Sequence, residues 1–318
     1  MARTRLYRDG ALEAEDFPLS ELPAHLRDEA LTVWVDLGAP SPQDLRLVAD
    51  ELGLHELAVE DALQSRQRPK VDEYDGSCYL TAYAVSLSGA ALSTAELGVF
   101  LTDRAVVTVR PGDAFDIDAV VRRWDDLSRL AGSGVGFLVH GLLDYVVDSH
   151  LDAVERLDDL VSDLEDQVFS ERPGDAAMQR HVLAVRRSVV DLRRVVLPMR
   201  DVVASVSGRD FDAEVTPYFR DVHDHVLRAA DWTDSLRELI ATVRETQLNV
   251  QSNRLNLIMK QVTGWAAIIA VPTAITGWYG QNVPFPGDGQ VSGFVTSTVA
   301  IVVVGVALYA LFRRRDWL

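Results

Sequence analysis

From residue 218 to residue 263 the chain contains neither glycine nor proline. Its apolar residues Phe219, Val222, Val226, Leu236, Ile240 and Val243 keep one helical stripe. Pro217 stands where a helix can start. At 1.5 Å per residue the run predicts a helix roughly 70 Å long, more than a globular domain ordinarily needs. It continues into residues 261–279, 19 positions without a charge. Residues 292–312 form a second uncharged stretch, of 21 positions. Both match the roughly 20 residues that cross a bilayer. The first contains Gln261, Thr263, Pro272, Thr273 and Thr276, as expected of a span with one face turned to water instead of lipid.

Upstream the pattern is different. Residues 31–37 (LTVWVDL) alternate and predict a strand, followed by a helix with Ser41 as N-cap and Pro42 at its first position. Residues 78–87, 96–101 and 105–110 predict further strands, the last closed by Pro111-Gly112. Interleaved strands and helices predict a mixed α/β layer. Residues 136–169 and 175–207 read as two helices joined by a Glu171-Arg172-Pro173-Gly174 turn. The first is rich in acid (Glu155, Asp158, Asp159, Asp163, Glu165, Asp166), either a solvated face or a surface that attracts cations.

Charge sharpens this division. Of 31 basic and 48 acidic residues, 261–318 hold three and two, so 1–260 carry 28 and 46, a net of −18. Such acidity argues against nucleic acid and against docking on anionic headgroups, and suits attraction of cations. Lys260 precedes the first span and Arg313, Arg314 and Arg315 follow the second. Basic flanks favour the cytoplasmic side, which predicts both termini inside and residues 280–291 outside. The opening MARTRLYRDG has no apolar run, so no signal peptide is expected. The single cysteine, Cys78, is expected as a buried strand residue in a reducing compartment.

Along the first span Asn256, Met259, Thr263, Ala266, Ala270, Thr273 and Gly277 recur at alternating spacings of 3 and 4. They therefore share one face, small and polar, with Asn282 beyond its outer end. Such a stripe suits close helix packing or a water-filled pore. Mg²⁺ holds its water tightly, so amides, hydroxyls and carbonyls can conduct it by hydrogen-bonding its hydration shell. The membrane potential would suffice to drive it, at about 4.6 kcal/mol for two charges across 100 mV.

These residues resemble the CorA family of magnesium channels. The resemblance lies in Asn256-Leu257-Ile258-Met259-Lys260, Pro272-Thr273, Tyr279-Gly280-Gln281-Asn282 and the terminal Phe312-Arg313-Arg314-Arg315-Asp316-Trp317-Leu318. It extends upstream to Glu60-Asp61, Gln67-Arg68-Pro69-Lys70-Val71, Glu171-Arg172-Pro173 and residues 217–222. It implies a homopentamer in the cell membrane, with Mg²⁺ as substrate and regulatory ligand and no covalent cofactor. The implied organisation is a cytoplasmic αβα domain (1–130), an acidic helical hairpin of the same region (131–210) and a stalk helix (211–260). A pore-lining first transmembrane helix (261–279), an external loop (280–291), a second transmembrane helix (292–312) and a basic cytoplasmic tail (313–318) complete it. The selectivity loop would be Tyr279, Gly280, Gln281 and Asn282, with Gln where the family has Met. Asn256, Met259 and Thr273 correspond to pore-lining residues, and Val262 and Ala270 fall where bulkier gate residues sit. Asp221 matches a regulatory carboxylate whose usual strand partner is absent from residues 84–94.

His225 shares a helical face with Asp221, whereas His223 does not, so the pair is either structural or a weak metal site. There is no Gly-x-Ser-x-Gly, phosphate-binding glycine loop or zinc spacing, so enzymatic or ATP-coupled chemistry is not expected. Two alternatives stand beside Mg²⁺ uptake: a zinc or transition-metal transporter of the ZntB type, and a non-conducting membrane sensor.

Overall fold

A computed structural model describes residues 2–64, 66–168, 176–281, 287 and 289–318. The expected turn at Glu171-Arg172-Pro173-Gly174 lies outside the described residues, as do Asn282 and Asp288. Strands β1 (Ala2–Arg8) and β2 (Ala11–Glu15) precede the one-turn helix α1 (Leu22–His25), strand β3 (Leu31–Gly38), and helices α2 (Pro42–Leu52) and α3 (Glu56–Leu63). Strands β4 (Lys70–Tyr74), β5 (Ser77–Ser88), β6 (Ala91–Leu101) and β7 (Ala105–Arg110) lead to α4 (Ile117–Asp126). Four long helices follow: α5 (Val135–Val168), α6 (Ala176–Ser207), α7 (Thr216–Tyr279) and α8 (Val291–Arg314). The described residues form two compact units, one of residues up to Gln167 with Ala176–Val243 and one of Val168 with Arg244 onward, so α7 contributes to both.

In the first unit one mixed sheet runs in the order β2-β1-β3-β7-β6-β5-β4, with only β3 and β7 parallel. The sequence patterns identified β3, β5, β7 and the C-terminal half of β6, but not β1, β2 or β4. All three are rich in charge, and ion pairs answer much of it, although Leu6 and Tyr7 of β1 are buried. Arg5 is buried in β1 between Glu15 (2.6 Å) and Asp125 (2.7 Å). Lys70 of β4 reaches Asp61 at 2.5 Å and Asp72 at 2.7 Å. The family-like stretches Glu60-Asp61 and Gln67–Lys70 thus form a clasp between α3 and β4, with Gln67 Nε2 also donating to Asp61 at 2.7 Å. Burial pushes the Asp61 carboxyl up, but the Lys70 and Gln67 hydrogen bonds outweigh it and leave it below the usual carboxylate range.

Alternation along β3 divides the unit into layers. Val33, Val35 and Leu37, with Ala105, Val107 and Val109 of β7, meet Leu45, Val48 and Ala49 of α2 and Ala58 of α3. On the other face Trp34 lies edge-on to Trp124 of α4, with ring centroids 4.8 Å apart. Helix α2 begins as expected: Ser41 and Asp44 close a capping box and Pro42 occupies the first turn. Cys78 is fully buried, and burial pushes its thiol up to about 12.

Polar groups in this core are answered in pairs. Buried Asp36 accepts from Thr108 Oγ1 (2.7 Å) and from Arg110 through Nε (3.0 Å) and Nη2 (2.6 Å). Helix α5 is tied to β5 by His150 Nε2, which donates to the Tyr83 carbonyl at 2.8 Å, and by Ser149 Oγ, which accepts from Val85 N at 3.0 Å. Helix α6 is tied at Ser188, which accepts from Leu92 N (3.2 Å) and donates to Ala90 O (2.6 Å). The α7 stripe is buried as its periodicity predicts, from Phe219 through Val222, Val226, Leu236 and Ile240 to Val243.

Burial lowers the His150 imidazole from 6.5 to about 4, although its bond to Tyr83 acts the other way. The unfolded chain therefore binds a proton below pH 6.5 that the native state refuses until about pH 4, and stability falls as pH falls through that window. Denaturant titration of the purified full-length protein should find it about 2 kcal/mol less stable at pH 5 than at pH 7 from this group. His150→Gln should remove that part of the pH dependence.

Candidate ion pathway and regulatory cluster

In the second unit α7 sheds its polar character, and both α7 and α8 contain apolar stretches long enough to cross a membrane. On α7 the positions that lose exposure are Gly264, Ala267, Ile268, Val271, Pro272, Ile275 and Tyr279. On α8 they are Gly293, Ser297, Ala300, Ile301, Gly305, Leu308 and Phe312. Each set recurs at spacings of 3 and 4, with adjacent pairs at 267/268, 271/272 and 300/301, and makes one face withdrawn from solvent. At about 100° per residue, the stripe of Asn256, Met259, Thr263, Ala266, Ala270, Thr273 and Gly277 lies roughly opposite. All seven stripe residues are exposed, as is Val262 (63 %). The small-residue stripe is therefore not what packs this hairpin. Within it Thr273 Oγ1 donates to the Ile269 carbonyl at 3.0 Å.

The C-terminal end of α7 closes with Gly280 N–H donating to Thr276 O (2.9 Å) and Gln281 N–H to Trp278 O (3.4 Å). Tyr279 is the last helical residue and half-buried, while Gly280 and Gln281 are exposed. The chain returns through a close approach of two glycines. A Cβ on Gly293 would stand 2.4 Å from the Gly287 carbonyl oxygen, and Gly287 itself has φ +92°. At the other end Gly264 meets Leu318, with a Cβ there lying 3.4 Å from Leu318 Cγ.

In the first unit Asp221 and His225 stand one turn apart on α7, with Oδ1 and Nε2 3.8 Å apart. His225 Nδ1 is 3.9 Å from Asp148 Oδ1 on α5. Asp148 also accepts from Arg123 Nη1 at 2.7 Å, and Arg123 pairs with Asp144 as well. The guanidinium thus neutralises part of the cluster. Among the described residues, no group of three or more His, Cys, Asp or Glu side chains is arranged to hold a metal. Nearby His140 lies edge-on to Tyr218 and Phe219 of α7, and burial depresses its pKa despite Asp144. This cluster lies upstream of the acid-rich run on α5 that begins at Glu155. The i, i+4 repeat of Asp144, Asp148 and Asp152 was the available signal for this cluster.

The family described as CorA-like Mg²⁺ transporter protein matches residues 29–314. The chain belongs to this family. CorA-like proteins are membrane ion transporters and not enzymes. The cobalt/magnesium transport protein CorA of Thermotoga maritima is 29% identical over 321 residues, covering 96% of this chain and 90% of that one. The zinc transport protein ZntB of Yersinia enterocolitica is 21% identical over 290 residues, covering 90% and 88%. The complete structure of the CorA magnesium transporter from Methanocaldococcus jannaschii superimposes with a TM-score of 0.80 at 22% identity, covering 100% and 99%. The CorA fold accounts for the α/β domain and for the long helix that becomes the first of two transmembrane helices.

The two seam glycines of this CorA-like hairpin should respond oppositely to one added methyl group. Gly264→Ala gains helix propensity and meets Leu318 at ordinary contact distance, so the melting temperature in detergent should hold or rise. Gly293→Ala drives Cβ into the Gly287 carbonyl and should lower it by several degrees, an overpacking cost of about 1–3 kcal/mol.

Proposed function

We propose that this chain is the subunit of a homopentameric divalent-cation channel that takes up Mg²⁺, and by the same chemistry Co²⁺ or Ni²⁺, under the membrane potential. The observation that carries this reading is the stripe from Asn256 to Gly277, which remains exposed opposite the face that packs the hairpin. Symmetric copies around an axis would turn these stripes inward to enclose a conduit of amides, hydroxyls and small side chains. Neutral oxygen donors suit an ion that keeps its hydration shell, because a carboxylate in the conduit would hold it too strongly.

In this reading Gly280, Gln281 and Asn282 capture the hydrated ion at the outer mouth, supported from below by Tyr279. Val262 and Ala270 form the constriction. Both termini are cytoplasmic, which the basic flanks Lys260 and Arg313–Arg315 favour. Asp221 and His225 supply part of a cytoplasmic Mg²⁺ sensor, with remaining ligands contributed across a subunit boundary. The relatives named for cobalt and magnesium transport support the ion class. The more distant zinc transporter supports a second reading, in which Gln281 in place of the family's Met shifts preference toward transition metals.

Uptake into proteoliposomes held inside-negative separates these readings. Mg²⁺ should enter and be competed by Co²⁺ and Ni²⁺, and Asn282→Ala should reduce entry at least tenfold, about 1.4 kcal/mol of lost ion stabilisation. Zn²⁺ entry that outcompetes Mg²⁺ would favour the zinc reading, and no divalent entry at all would leave a non-conducting sensor.

A further inference from the structure

Residues 244–318 hold six basic and three acidic residues, a net of +3 on a chain of −17, so residues 1–243 carry −20. Four of the six cations come together at one end of the hairpin. Lys260 precedes the charge-free stretch of α7, Arg313 and Arg314 close α8, and Arg315 caps it. All four are exposed, and among the described residues none is held in an ion pair.

The tail that carries the arginines folds back on the hairpin. Arg315 N–H donates to Leu311 O (3.2 Å), and Trp317 N–H donates to Phe312 O (3.0 Å). The Trp317 indole stacks on Phe312 with centroids 5.4 Å apart, and Leu318 packs against α7 at Gly264. Trp317 also shares a groove with Asn256, Lys260 and Thr263. Three guanidinium groups, one ammonium and one indole are therefore held at the rim where the apolar helices end. Exposed Val302 and Val306 present an apolar flank on α8 just before that rim.

That juxtaposition matches a phospholipid. Guanidinium forks pair with phosphate oxygens, indole occupies the boundary between hydrocarbon and water, and acyl chains cover the apolar flank. We propose that Arg313, Arg314 and Arg315, with Lys260 and Trp317, form a collar that binds anionic phospholipid headgroups of the inner leaflet. The proposal rests on the membrane orientation given above. The overall acidity predicted no such docking, but that acidity belongs to residues 1–243, and the rim has the opposite sign. A collar of this kind offsets the repulsion between an acidic domain and the anionic bilayer to which it is tethered. Each cation near such a surface favours association by about fivefold.

Delipidated full-length protein in neutral detergent, titrated with phosphatidylglycerol or phosphatidylcholine, gives the test, with bound lipid counted by native mass spectrometry. Phosphatidylglycerol should be retained about tenfold more than phosphatidylcholine. The triple variant R313Q/R314Q/R315Q should lose most of that preference, and R313K/R314K/R315K should keep much of it. Equal retention of the two lipids, or undiminished phosphatidylglycerol binding by the triple Gln variant, would overturn the proposal. Binding of soluble glycerol phosphate as strongly as phosphatidylglycerol would overturn it too, in favour of a free-phosphate site. The count requires no ion flux, and carbonate extraction of membranes scores insertion separately, so failure of the transport reading is distinguishable from failure of this one.

Discussion

Helix α7 must leave water without leaving any backbone group unpaired, and much of the structure follows from how it does so. In hydrocarbon an unsatisfied peptide group costs several kcal/mol, so a chain that enters the bilayer as an uninterrupted helix avoids the cost. From Thr216 to Tyr279 the helix is unbroken, and only its side-chain pattern changes. Up to Val243 one face is buried in protein. Beyond it Trp265, Ile269 and Trp278 are all more than half exposed, which suits contact with lipid and with further copies of the chain. Pro272 is the one residue inside the span that withholds a donor, and it leaves the Ile268 carbonyl without its usual helical partner.

The two faces of the span divide the available small residues between different tasks. Gly264 and Gly293 serve the hairpin, where a side chain would meet Leu318 in one case and a loop carbonyl in the other. The alanines and threonines of the opposite face are exposed. A stripe used only to pack this hairpin would be covered by α8. In the proposed assembly it is covered by other subunits or bathed by the ion's water.

Periodicity made much of this legible. Strand β3 carries a period of 2, the buried stripe of α7 a period near 3.6, and the two apolar stretches lack charge; the strands β3, β5 and β7, the long helices and both apolar stretches appear where these patterns placed them. Strands β1, β2 and β4 carry no such signal, because Arg5 and Lys70 are satisfied by partners distant in sequence. The Arg123–Asp148–His225 cluster left only the i, i+4 repeat of acids on α5 as a signal, since it unites α4, α5 and α7 through charges that solvate themselves equally well on a free helix. The face withdrawn from solvent was likewise beyond pattern alone: glycine and alanine lie on both sides of α7.

The central claim is that the Ala266–Ala270 face borders the ion's path, and cysteine accessibility tests it most directly. Native Cys78 is fully buried with its thiol pushed up to about 12, so it stays silent toward a membrane-impermeant thiosulfonate reagent. In native membranes, Ala266→Cys and Ala270→Cys should each react and block divalent uptake, while Val302→Cys on the exposed face of α8 should leave uptake intact. Modification of Val302→Cys with loss of uptake, while the two α7 positions stay inert, would contradict the account.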